Sequence, residues 1–189
     1  MNSGKYYLVN GITLYRLVMA PVLILLVVYD RPDIFKWLLS VSFFTDVVDG
    51  YFARKFNVSS IFGAKLDSVA DDFTIIAAMT GIIVFKREFL NQEITLIVLL
   101  LGLFIIQIVL ALVRYGRISS FHTYGAKFAF LLQGLFIILL FFLPVPWLLF
   151  FYITCIVTAL ELIEEIIITL LLPEWKTNVK GLYWVLKRK

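Results

Sequence analysis

The chain has 189 residues, 62% of them apolar and 16% charged, with a mean hydropathy of +0.98 and a net charge of +4. A soluble domain is about half apolar and about a quarter charged, so these figures exclude an ordinary water-soluble globule. A single cysteine, Cys155, excludes an intrachain disulfide, and a single histidine, His122, excludes a metal site built on histidines.

The apolar residues fall in six blocks, each near the roughly 20 residues that a helix needs to cross a hydrocarbon core of about 30 Å. Before the first block, Tyr6, Tyr7 and Leu8 beside Lys5 suggest a short interfacial helix. The first block runs from Ile12 to Tyr29 and is interrupted by Arg16, with no small-residue cleavage site after it. It is therefore expected to be a retained span and not a secretory leader, and Arg16 must face a partner other than lipid. Asp30-Arg31-Pro32-Asp33 separates it from Ile34 to Phe52, and the third block, Ala64 to Phe85, ends at Lys86-Arg87-Glu88. Ile94 to Val113 and Tyr124 to Leu143 follow, and Pro144-Val145-Pro146 leads into Trp147 to Leu172. Turn residues and charges of this kind end helices. No block alternates apolar with polar residues, and lipid requires each backbone group to be satisfied within the chain, so helices are favoured over a barrel. The expected fold is all-α: an integral membrane bundle of six transmembrane helices forming one domain over residues 1–189.

Orientation follows from lysine and arginine. Lys5, Arg54, Lys55, Lys65, Arg114, Arg117, Lys127 and the five basic residues from Lys176 to Lys189 fall on one side; Arg31, Lys36, Lys86 and Arg87 fall on the other. The excess predicts that both termini and the second and fourth loops face the cytoplasm, from the plasma (inner) membrane. A basic face there attracts anionic headgroups and phosphorylated substrates. A nucleic-acid partner is not expected, because the basic residues are divided among membrane loops.

Ionisable groups in spans are costly and mark function by default. They concentrate at TDVVDGYFARKFNVSSIFGAKLDSVADD, residues 45–72. Asp46 and Asp49 are three apart and Asp67 and Asp71 four apart, so each pair shares one helix face, and a short loop makes the two helices antiparallel neighbours. Four converging carboxylates repel one another unless compensated. Two divalent cations, Mg²⁺ or Mn²⁺, would balance them with ligands of the preferred oxygen type, and paired ions are a recurring device of phosphoryl transfer. Gly50 and Gly63 leave room for a ligand near the backbone, Ala53 keeps a wall small, and Arg54 offers a fork to phosphate. Each alone also fits a plainer role as cap, hinge or membrane anchor.

Together these residues resemble the signature of the CDP-alcohol phosphotransferases, D-x2-D-G-x2-A-R-x8-G-x3-D-x3-D. Asp46, Asp49, Gly50, Ala53, Arg54, Gly63, Asp67 and Asp71 match it in type and spacing. Eight fixed positions make a chance match roughly one in 10¹⁰ per starting site. The resemblance implies a homodimeric membrane enzyme of phospholipid biosynthesis that moves a substituted phosphate from a CDP-alcohol such as CDP-diacylglycerol to an alcohol, releasing CMP. It implies metal ligation by Asp46, Asp49, Asp67 and Asp71, a general base at Asp71, and a CDP pocket at Asp46, Gly50, Ala53, Arg54 and Gly63. Asp72, about 100° round the helix from Asp71, is expected to face a basic loop residue and not a metal.

A phosphorylated acceptor needs cations, and the fourth loop offers Arg114, Arg117 and Lys127. The positive-inside rule accounts for the same three residues, and both readings stay open. Asn10, Thr13 and Arg16 resemble the N-x2-T-x2-R opening of phosphatidylglycerophosphate synthases, which points to sn-glycerol 3-phosphate; inositol phosphate, inositol and serine are the alternatives. Glu161, Glu164 and Glu165 are expected to be structural, facing a basic loop, a dimer mate or a cavity. Among other classes, a cation transporter leaves the Gly, Ala and Arg spacing unexplained, and membrane prenyltransferases lack the D-x2-D-G-x2-A-R run.

Overall fold

A computed structural model describes the backbone of residues 3–56, 61–117, 121, 123–176 and 179–187, and the side chains of these except 3–10, 49–56, 61–65, 67 and 68. The helices are α1 (Ser3–Val28), α2 (Pro32–Phe56), α3 (Ile61–Phe85), α4 (Arg87–Tyr115), α5 (Tyr124–Phe142), α6 (Leu148–Leu171) and a short α7 (Leu182–Leu186), with no strand among the described residues.

The joints have local causes. After α1, Asp30 takes a left-handed φ of 52°, its N–H donates to the Val27 carbonyl at 3.2 Å, and the Arg31 N–H reaches back to Leu26 at 2.9 Å. This is the Schellman pattern, and Pro32, which has no N–H to lose, opens the next helix. Lys36 donates to Asp33 at 2.7 Å in that first turn, and the hydrogen bond and charge hold the Asp33 carboxyl below its usual range. Across the single-residue joint between α3 and α4, burial and then the charge of Lys36 push Lys86 downward. Gly116 ends α4 at φ 65°, where its N–H returns to Leu112 at 2.8 Å. Thr123 caps α5 by accepting from the Ala126 N–H at 3.0 Å. Thr123→Ala is expected to cost about 1 kcal/mol, read as a lower midpoint of thermal unfolding in detergent.

Two expectations need correction. The segment before the first span is not a separate interfacial helix: Ser3 begins the same helix that continues to Val28, because Gly11 weakens the ladder by only about 1 kcal/mol, and Pro21 further on removes one backbone donor without ending it. Among the described residues three helices, not six, are long and apolar enough to cross a membrane: Gly11–Val28 of α1, α4 and α5. Glu161, Glu164 and Glu165 interrupt the apolar run of α6, and Asp33, Lys36, Asp46 and Asp49 lower the hydropathy of α2. Only 11% of the α4 span is buried, so its Val98, Leu99, Leu101, Phe104, Ile105 and Ile106 face outward as lipid-contacting residues do.

The chain divides into two compact units, residues 1–90 and 91–189. In the first, α1 packs on both α2 and α3. Its Ala20 and Leu23 are buried, as are Phe35 and Leu39 of α2 and Ala70, Ala77 and Ala78 of α3. The alanines let backbones approach closely, as small residues do between membrane helices. Phe35 and Phe85 meet edge to face at 5.5 Å. In the second unit α5 packs on α6, with Phe136 5.2 Å from Phe151, and the segment after α6 folds back so that α7 lies on α6.

Candidate active site

The first unit holds a polar centre where apolar packing would otherwise continue. Arg16 lies in the middle of α1 with only 1% of its side chain exposed. Its Nη1 donates to Asp46 Oδ1 at 2.5 Å and also to Asp71 Oδ1. One guanidinium thus ties α1 to α2 and α3. The side chains of Asp46 and Asp71 are 23% and 32% exposed, so the centre opens on the carboxylate side and is closed behind the arginine. Thr13, one turn before Arg16, and Ser42, one turn before Asp46, are buried around it. The buried Thr74 hydroxyl donates to the Ala70 carbonyl at 2.8 Å, a bond made within α3.

Asp46 and Asp71, the first and last acids of the motif, are thereby brought together. Asp49, Gly50, Ala53 and Arg54 belong to α2, and Gly63 and Asp67 to α3, but their side-chain positions lie outside the described residues. Among the described residues no three acidic, histidine or cysteine side chains stand together as a metal site. The donor chemistry still fits a hard divalent cation, because two carboxylates from separate helices present oxygens to a single positive centre, and oxygen ligands suit Mg²⁺ and Mn²⁺. Asp72 is exposed and takes no part in the convergence. The partners of Arg16 escaped the sequence, where only the cost of an arginine inside a span signalled that partners existed.

The second unit carries the basic residues of the fourth loop, all three exposed. Arg114 Nε donates to the Leu172 carbonyl at 3.2 Å, Arg117 lies 5.3 Å above the Trp175 ring, and Lys127 Nζ lies 5.7 Å from the centre of Tyr124. His122 lies outside the described residues. The three glutamates of α6 do different things. Glu165 is buried and accepts from Gln107 Nε2 at 2.6 Å, joining α6 to α4. Glu164 accepts from the Leu182 N–H at 2.8 Å, joining α6 to α7. Glu161 is half-buried near Gly125 at the start of α5. The sequence showed the acids but not which of them faced which helix.

Apolar helices with paired carboxylates opposed across a buried arginine define an all-helical protein of membrane type with a polar centre. Residues 6–171 match the profile of the CDP-alcohol phosphatidyltransferase family, and the chain belongs to that family. It is 33% identical over 131 residues to a cardiolipin synthase (CMP-forming) / mitochondrial hydrolase fusion protein of Schizosaccharomyces pombe, a match covering 69% of this chain and 21% of the relative. It is 31% identical over 88 residues to the CDP-diacylglycerol–glycerol-3-phosphate 3-phosphatidyltransferase of Haemophilus influenzae, covering 45% of this chain and 48% of that protein. Against the CDP-diacylglycerol–inositol 3-phosphatidyltransferase of Saccharomyces cerevisiae it is 41% identical over 66 residues, 35% of this chain and 30% of the other. The chain spans between 21% and 48% of the length of these relatives. No solved structure matches it.

Proposed function

We propose that the chain, as one enzyme domain over residues 1–189, transfers a phosphatidyl group from CDP-diacylglycerol to an alcohol and releases CMP. The acceptor we favour is sn-glycerol 3-phosphate. What supports the reading is the convergence of Asp46 and Asp71 on one buried guanidinium, which puts the two ends of the family motif at one point. The bias of lysine and arginine sets the active site and both termini toward the cytoplasm, and the enzyme acts as a homodimer, as its family resemblance implies.

Asp46, Asp49, Asp67 and Asp71 would hold two Mg²⁺ or Mn²⁺ ions. Such ions neutralise a diphosphate and polarise its bridging bond. Asp71 accepts the proton of the attacking hydroxyl, a task suited to a carboxylate that is partly exposed on the open side of the centre. Arg16 keeps Asp46 and Asp71 aimed at one another from behind. Gly50, Ala53, Arg54 and Gly63 line the cytidine diphosphate, and Arg114, Arg117 and Lys127 receive the acceptor phosphate as charge-assisted donors.

The test incubates purified protein with CDP-diacylglycerol, Mg²⁺ and, separately, glycerol 3-phosphate, inositol phosphate, inositol and serine, with CMP as the readout. CMP release with one acceptor identifies it. Cation flux into liposomes with no CMP from any acceptor would make the protein a transporter instead. Arg117→Ala is expected to raise the KM for glycerol 3-phosphate about tenfold with little change in the KM for the donor, since a charge-assisted hydrogen bond contributes about 1.5 kcal/mol. Equal effects on both substrates would remove Arg117 from the acceptor site.

A further inference from the structure

All three basic residues assigned to the acceptor are tied, directly or through one aromatic ring, to the segment that follows α6, residues 172–176 and 179–187. That segment lies beyond residue 171, where the family match ends. The Leu172 carbonyl, one of the acceptors left unsatisfied at the end of α6, receives Arg114 Nε at 3.2 Å, and the Tyr115 hydroxyl is shared between it at 2.9 Å and the Thr169 carbonyl at 2.8 Å. Trp175 supplies the ring beneath Arg117. Tyr124, whose ring lies under Lys127, stands 5.6 Å from Trp184, and its N–H, one of the orphan donors at the start of α5, is received by the Lys180 carbonyl at 3.2 Å.

The segment is itself fastened at two points. Val185 is buried with Phe121, Ile168 and Leu172 in an apolar cluster. Glu164 takes the Leu182 N–H at 2.8 Å, beside Gly181, whose φ of 152° and whose space, closed by Glu164 Oε1 3.1 Å from where a Cβ would stand, favour glycine.

We infer that this C-terminal segment is a positioning strap that orients Arg114, Arg117 and Lys127 for a soluble phosphate monoester. The inference rests on the assignment of those residues to the acceptor. Three exposed basic side chains would each lose rotamer freedom on gripping a ligand. A strap that has already ordered them removes part of that cost before the ligand arrives, which is preorganisation. Trp175 and Glu164 touch no substrate in this scheme and act only through the cations and the strap.

The experiment measures binding of inorganic phosphate and of glycerol 3-phosphate to the full chain in phosphatidylcholine nanodiscs by calorimetry, alongside CMP release. Trp175→Ala and Glu164→Ala are each expected to weaken phosphate binding about fivefold, the scale of one lost cation–π contact or one lost helix-terminal hydrogen bond. Trp175→Phe, which keeps a ring under Arg117, should restore most of it. The KM for glycerol 3-phosphate should rise by the same factor, with kcat and the donor KM unchanged. Phosphate affinity unmoved in both alanine variants overturns the strap even if CMP release is normal. A loss in kcat alone, no phosphate binding by the wild type, or a variant effect seen only when the discs contain anionic phosphatidylglycerol also overturns it, the last by making the ligand a lipid headgroup. Weaker phosphate binding in both variants with no CMP from any acceptor upholds the strap and removes the transferase reading.

Discussion

Asp71→Asn should lower CMP formation about a thousandfold, within the range that a positioned general base contributes, while the protein still inserts and keeps its helical content. The substitution is nearly isosteric, and the side chain keeps an oxygen to accept the hydrogen bond from Arg16 Nη1. It cannot take a proton from a hydroxyl. It also removes one negative charge from the proposed metal ligands, so Mn²⁺ binding, followed by electron paramagnetic resonance, has to be measured on the same preparation. Lost turnover with Mn²⁺ affinity nearly intact assigns the proton to Asp71; turnover lost in proportion to Mn²⁺ affinity assigns Asp71 to the metals alone. Normal turnover in the variant refutes both roles. Asp72→Asn on the adjacent, exposed position is the control, because Asp72 takes no part in the convergence at Arg16.

What the sequence disclosed and what it withheld divide along the range of the interactions concerned. The helices were legible because each is set by neighbours within a few residues: the apolar blocks, Pro32 at the opening of α2, Pro144 after α5. The motif was legible because its spacing is a property of the chain itself. Partners far apart in sequence were not. Arg16 and Asp71 are 55 residues apart, and nothing in either segment says which acid the arginine meets. Glu164 and Glu165 are adjacent in sequence yet face α7 and α4, because successive helical residues diverge by about 100°. The final fold-back was hidden for another reason: residues 182–186 are too few to show a helical period, and the segment is ordered by Glu164 and by the cluster around Val185. The span count erred at α6 because its apolar residues were weighed without the three acids, Glu161, Glu164 and Glu165, that interrupt them.

Arg16→Met should destabilise the protein by about 3 kcal/mol when divalent cations are chelated. Removing one partner of a buried ion pair typically costs about 3–5 kcal/mol, because the remaining charge is left without compensation. The low end applies here, since Asp46 and Asp71 are 23% and 32% exposed and water can reach them once the guanidinium is gone. Methionine fills much of the volume of the arginine stem, so the loss reports charge more than packing. Arg16→Lys should recover only part of it: both acids meet the single nitrogen Nη1, and a lysine stem places its more strongly hydrated ammonium one bond short of that point. The informative comparison is thermal unfolding in detergent with EDTA and with Mg²⁺. If Arg16 is the resident counter-charge of the centre, Mg²⁺ should raise the midpoint of Arg16→Met more than that of the wild type, since two carboxylates have lost their neutralising partner and gain more from a cation. Equal Mg²⁺ shifts in the two proteins would mean that the carboxylates do not draw on the same positive charge, and Arg16 would then be a fastener of α1 to α2 and α3 with no bearing on the metals. An unequal shift carries a consequence for the resting enzyme: with no divalent cation bound, the arginine prevents the acids from repelling one another, so that the helices bearing the motif stay packed until metal and nucleotide arrive.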